Sequence, residues 1–147
     1  DKTGNVLWRL DHGEIEGLSP KLVVLMIGVN NLWSGKNTAA EIAGGIRAIV
    51  TRLRAKLPQT KLLVLGVLPI GTSATDFGRL KVADVNAHAA SFDDGTMVKV
   101  LDFGAAFLQK DGALLDGAYQ KDNLHLTSKG YEILARQLVP VVTDLLK

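Results

Sequence analysis

The sequence contains no cysteine. That excludes a disulfide framework, a thiolate metal site and a cysteine nucleophile. It leaves the compartment open, because a secreted domain of this size needs no disulfide. Aromatic residues are scarce at 5%, so the core must be assembled from Leu, Val, Ile and Ala, which the 47% hydrophobic content supplies. Charge of one sign is lacking too. The 17 basic residues stand against 15 acidic ones and leave +2, which offers nothing to nucleic acid or to an anionic membrane as partner. No apolar run approaches the roughly 20 residues that a membrane span requires, and no signal peptide is visible. The chain opens at Asp1 without an initiator Met. Localisation therefore stays unknown; an upstream signal peptide would direct a bacterial protein out of the cytoplasm. Three scattered histidines without cysteine make no transition-metal cage, so no metal is expected.

A chain of 147 residues suits one domain, spanning 1–147. Three apolar runs read as strands: Leu22–Ile27, Leu62–Leu68 and Val98–Phe103. The first two are apolar at nearly every position, as in strands of a parallel sheet covered on both faces. Helical patterns fall between them. Thr38-Ala39-Ala40-Glu41 has capping-box spacing and opens a helix that ends before Pro58. Its Ile42, Ile46, Ile49, Leu53 and Leu57 form one buried stripe, with Arg47, Arg52, Arg54 and Lys56 mostly on the wet side. A weaker helix covers about 76–90. Another starts at Thr127 or Ser128, with Tyr131, Leu134, Leu138, Val141 and Leu145 as apolar positions and a bend expected at Pro140. A short helix is expected over Val6–Leu10. This alternation predicts an α/β domain with right-handed crossovers. Ligands of such sheets bind beyond the carboxyl ends of the strands, which directs attention to Gly28–Asn37, Pro69–Thr75 and Gly104–His125.

Two of these segments carry residues suited to acyl transfer. In Gly28-Val29-Asn30-Asn31, Gly28 permits a sharp turn, and the Asn30 amide can donate to a developing oxyanion. An Asn-rich turn accounts for the same residues, since Asn tolerates left-handed backbone. In Asp122-Asn123-Leu124-His125, a carboxylate three residues before an imidazole can fix its tautomer and leave the other nitrogen as base. Taken alone, so short a motif is more often a solvated pair beside a helix start. His12, before Gly13, and His88, within a helix, are expected to be solvated and without triad partners. Gly44-Gly45 and Gly71-Thr72-Ser73 fit neither a Walker loop nor a dinucleotide fingerprint, which disfavours a flavodoxin-like nucleotide-binding domain. Phe103 and Phe107 are expected in the core, and Asp102 is expected to be structural.

Taken in order, Asn5–Leu10 (NVLWRL), Gly28-Val29-Asn30-Asn31, Lys61–Pro69 (KLLVLGVLP) and Asp122–Leu126 (DNLHL) resemble the SGNH/GDSL hydrolases, in the style of the platelet-activating-factor acetylhydrolase alpha subunit. The resemblance runs over essentially the whole chain. It implies a three-layer α/β/α, flavodoxin-like SGNH hydrolase fold with a parallel sheet. It also implies a cofactor-free serine esterase or lipase acting on small acyl esters, chiefly acetyl esters of lipid or carbohydrate. His125 takes the base role, Asp122 the orienting role and Asn30 the oxyanion-donor role. Gly28, Asn31 and Trp33 are expected near the substrate. Asn31 stands where many members of the family have Asp.

The family's nucleophilic Ser lies in a Gly-Asp-Ser block, which these residues do not contain; Ser19, Ser34, Ser73, Ser91 and Ser128 stand in other contexts. A second oxyanion donor, a Gly, would fall just before Asp1. The expectation is therefore a domain incomplete at its N-terminus, with two strands and a crossover upstream. Its open sheet edge would be covered by that segment, by a second copy, or by a chain supplying the strands. The alternative is an inactive fragment or a ligand-binding module that keeps the fold.

Overall fold

The sheet begins with β1 (Leu22–Met26), β2 (Lys61–Leu65) and β3 (Val98–Leu101) side by side in that order. A computed structural model describes all 147 residues. Both pairings are parallel, with Val24 opposite Leu63 and Leu63 opposite Lys99. Parallel neighbours require a crossover. Two helices, α3 (Ala39–Lys56) and α4 (Phe77–Ala90), provide them. They are preceded by α1 (Thr3–Asp11) and the short α2 (Val29–Trp33), and followed by a 3-10 turn at Gly104–Phe107 and by α5 (Ser128–Leu145).

Helix α3 forms where its sequence says it should. The Thr38 hydroxyl accepts from Glu41 N at 3.2 Å, and the Glu41 carboxylate accepts from Thr38 N at 2.7 Å. A cap of this kind contributes about 1 kcal/mol. At the other end, Arg54 donates to the carbonyls of Leu57, Pro58 and Thr60, tying down the turn that leads from the helix to β2. The stripe of Ile42, Ile46, Ile49 and Leu53 is buried. It meets Leu62 and Val64 of β2 together with Val82 and Val85 of α4.

Side chains alternate across a strand, so β2 sends Leu63 and Leu65 to the opposite face. There they join Phe107, Ala118, Leu126 and Leu134 in a second cluster, under α5. Strand β2 is thus covered on both sides, and the sheet lies between α1, α3 and α4 on one face and α5 on the other. Strand β1 corrects the expectation of two-sided burial. Val23, Leu25 and Ile27 pack on the α3 side, but Val24 and Met26 are 41% and 46% exposed. The sequence runs look alike because both are almost wholly apolar; β1 differs in standing at the edge of the sheet that these 147 residues form, beyond the reach of α5.

The remaining helices match or extend the sequence reading. Helix α1 runs from Thr3, earlier than Val6. Helix α5 is capped by Thr127, whose hydroxyl accepts from Gly130 N, and continues through Pro140 to Leu145. Where the sequence suggests an Asn-rich turn, α2 is one short turn of helix, launched by Gly28 at φ 121°.

Candidate active site

The loop carrying His125 is built by its own hydrogen bonds. Tyr119 bridges Leu126 in antiparallel fashion, Gln120 N donates to His125 O at 2.8 Å, and Asn123 N donates to Gln120 O. Asn123 takes a left-handed conformation, φ 54°, which Asn adopts at little cost. The turn lets Asp122 face the residues that follow it. Its Oδ1 accepts from Leu124 N and His125 N, each at 3.0 Å, and its Oδ2 meets His125 Nδ1 at 2.7 Å. Gly130 lets the first turn of α5 press on this loop: any side chain there would collide with the Ala118 carbonyl and crowd Leu126.

The hydrogen bond from the His125 side chain, then the two backbone N–H groups, hold the Asp122 carboxyl down at about 2 from an ordinary 3.8. An ionised Asp122 accepts only, so Nδ1 is the donor and Nε2 keeps its lone pair. A depressed carboxylate pKa means that the pairing favours the folded loop fully above pH 3.8 and is lost as pH falls toward 2. The Asp122 carboxyl carbon, followed by NMR, is expected to titrate with a midpoint near 2. An ordinary midpoint would show that the pair is not formed. Both side chains are substantially open to water, His125 at 68% and Asp122 at 44%, so the pairing orients the ring more than it stabilises the fold.

His125 and Asn30 line the same cleft, of about 230 Å³. Its walls come from the exits of β1 (Met26, Ile27) and β2 (Val67, Leu68, Ile70), from Val29, from Leu124 and Leu126 beside the histidine, and from Tyr131 of α5. It therefore opens at the carboxyl end of the sheet, and nine of its eleven lining residues are hydrophobic. Asn30 Nδ2 donates to Asp1 O at 3.0 Å.

The other expected substrate contacts sit elsewhere. Asn31 is 7% exposed, and Thr3 uses both ends of its amide: Oδ1 accepts from Thr3 N at 3.0 Å, and Nδ2 donates to Thr3 Oγ1 at 3.3 Å. It tethers α1 to α2. Gly28 is buried, and a Cβ there would press on Val67 and Ile42 at 3.2 and 3.3 Å; its role is close packing at the turn. Trp33 lies exposed at the end of α2 and does not line the cleft. None of these three residues lines the cleft. Tyr131, read as a core-facing position, is exposed and forms part of the cleft wall. His12 stacks on Trp8 with ring centres 4.1 Å apart, and its Nδ1 meets Trp8 O; neither it nor His88 lines the cleft. Ser34 donates to Asn31 O and Ser91 to His88 O, and no serine lines the cleft.

Comparison with known proteins agrees with this architecture. The model of the GDSL-like lipase/acylhydrolase family matches residues 1–133. Platelet-activating factor acetylhydrolase IB subunit alpha2 of Gallus gallus is 41% identical over 150 residues, covering 100% of this chain and 62% of that protein. Subunit alpha1 of Homo sapiens is 36% identical, covering 99% of this chain and 62% of that protein. The chain thus spans 62% of the length of these relatives. Among solved structures, a carbohydrate esterase family 3 protein from Talaromyces cellulolyticus superposes with a TM-score of 0.79 at 22% identity, covering 99% of this chain and 68% of that one. A GDSL-like lipase from Bacteroides thetaiotaomicron does so with a TM-score of 0.78 at 20% identity, covering 98% and 72%. At such identities the superpositions establish the fold. The family model and the acetylhydrolase relatives establish kinship: the chain belongs to the GDSL-like lipase/acylhydrolase family.

Proposed function

We propose that this chain supplies the base, its orienting acid and an oxyanion donor to a serine esterase of small acyl esters. The observation that supports the reading is the meeting of His125, already bonded to Asp122, with Asn30 at one apolar cleft. The nucleophilic Ser belongs to a segment outside these residues. Its hydroxyl attacks the ester carbonyl while His125 Nε2 takes the proton, and Asp122 stabilises the imidazolium. Asn30 Nδ2 and two backbone N–H groups donate to the oxyanion of the tetrahedral intermediate. His125 returns the proton to the departing alcohol. Water, deprotonated by the same nitrogen, then attacks the acyl-serine and releases the acid. Apolar walls suit an uncharged acyl group, and the acetylhydrolase relatives favour acetyl esters; the alcohol is that of a lipid or a carbohydrate.

A specific observation keeps a second reading for the 147 residues taken alone: no serine of theirs lines the cleft. By themselves they form an inert or merely ligand-binding unit. One experiment addresses both readings. The full-length protein is expected to hydrolyse p-nitrophenyl acetate and to take up one fluorophosphonate per chain, on a serine outside these residues. The isolated 147 residues are expected to show no turnover that depends on His125. A full-length protein that neither turns over the ester nor reacts with the phosphonate would overturn the esterase assignment.

A further inference from the structure

The strand ladder between β2 and β3 ends with Gly66 N donating to Leu101 O at 2.8 Å. The next residue, Val67, is a wall of the cleft and lies beyond the ladder. Its backbone is held instead by a side chain from the middle of α4. Asn86 Oδ1 accepts from Val67 N at 2.8 Å, and Asn86 Nδ2 donates to Val67 O at 3.0 Å. One amide thus satisfies both polar groups of a residue that is only 4% exposed. Asp102, at the exit of β3, fixes which way that amide points. Its Oδ2 accepts from Asn86 Nδ2 at 2.8 Å, while its Oδ1 accepts from Gly104 N at 2.7 Å. A flipped amide would set its carbonyl against the Asp102 carboxylate and the Val67 carbonyl. Gly66 completes the device, since a Cβ there would lie 3.0 Å from Asn86 Nδ2.

The backbone held in this way reaches the other side of the cleft. A Cβ placed on Gly28 would lie 3.2 Å from Val67 Cγ2, so the Val67 side chain rests against bare glycine at the turn that launches α2. Asn30 is the second residue of that helix. We infer that Asn86, oriented by Asp102, is a positioning residue for Asn30: through Val67 and Gly28 it sets where the oxyanion donor stands. The inference rests on the role proposed for Asn30, and it gives Asp102, a strand-end carboxylate open to confusion with a triad acid, a defined structural task. Asn86 touches no reacting group itself.

Misplacing a donor by a fraction of an ångström costs turnover more than ground-state binding. In the full-length protein, Asn86→Ala is expected to lower kcat for p-nitrophenyl acetate about 10-fold with KM changed less than about 2-fold. Asn30→Ala is expected to lower kcat about 100-fold. The deciding measurement is their combination. If Asn86 acts through Asn30, adding Asn86→Ala to Asn30→Ala should lower kcat by less than about 2-fold further. Asp102→Asn, which opposes two amide donors while keeping the shape, should give a smaller fall that also vanishes in the Asn30→Ala background. It serves as the test should Asn86→Ala not fold. A full further loss in the double variant, or unchanged kcat in the Asn86 and Asp102 variants, would overturn the inference while leaving the esterase reading intact. Unchanged kcat in Asn30→Ala alone would overturn the oxyanion role and the inference with it.

Discussion

Replacing His125 with alanine in the full-length protein is expected to lower kcat for p-nitrophenyl acetate by about 10³- to 10⁴-fold, with melting temperature almost unchanged. In the proposed mechanism the imidazole takes the serine proton, returns it to the alcohol and deprotonates the deacylating water, so its loss should affect both halves of the reaction. What survives is the contribution of the oxyanion donors and of substrate binding. Stability should hardly respond, because the ring is 68% exposed and the loop is kept by the Asp122 carboxylate and the Gln120 backbone. His12→Ala is the control. That ring is committed to Trp8 outside the cleft, and its removal should leave kcat within about 2-fold. Steady-state kinetics of the two variants side by side provide the check, and similar losses in both would contradict the assignment of the base.

Asp122→Asn is expected to reduce kcat by about 10³-fold while leaving KM within about 2-fold. The amide is nearly isosteric, and its oxygen can still accept from Leu124 N and His125 N, so the turn persists. Its nitrogen, however, then faces His125 Nδ1 as a donor. Two donors cannot pair, and the ring answers by carrying its proton on Nε2, where a base needs a lone pair. The loss is chemical, by tautomer, rather than a loss of fold. Asp122→Ala would remove the turn's acceptor as well and should also loosen the loop. Tautomer assignment from the ¹⁵N shifts of His125 separates the two: the Asn variant should show the proton on Nε2, and a ring still protonated on Nδ1 would contradict this account.

The parts of this structure that were legible in the sequence are those decided by near neighbours. The α3 cap, its isoleucine stripe and the three-residue spacing of Asp122 and His125 all express short-range geometry, and all appear as read. Strand β2 was legible because both its faces are buried. β1 carries the same apolar signal, and nothing within it reveals that one face lies open among these 147 residues. Helix α2 was missed because five residues give too little periodicity to distinguish a turn of helix from a loop. The bonds between Asn31 and Thr3 were not legible, because Thr3 is brought to Asn31 only by the packing of α1. Asn86 and Arg79 lie on the inner side of α4 and weaken its apolar pattern. Arg79 is there to donate to Ile70 O and Gly112 O, as Asn86 is to hold Val67. Long-range hydrogen bonding to loop backbone leaves no local signature in the chain. The meeting of Asn30 and His125 was anticipated only through family resemblance and the rule that such sheets bind ligands at their carboxyl ends.

A crystal structure of the full-length protein after reaction with a fluorophosphonate puts a stable tetrahedral oxyanion where the ester intermediate would form. The phosphoryl oxygen is expected within about 3 Å of Asn30 Nδ2, and the modified serine oxygen within hydrogen-bonding reach of His125 Nε2. An adduct formed away from the cleft, or one whose oxygen points away from Asn30 while His125 stays unengaged, would contradict it.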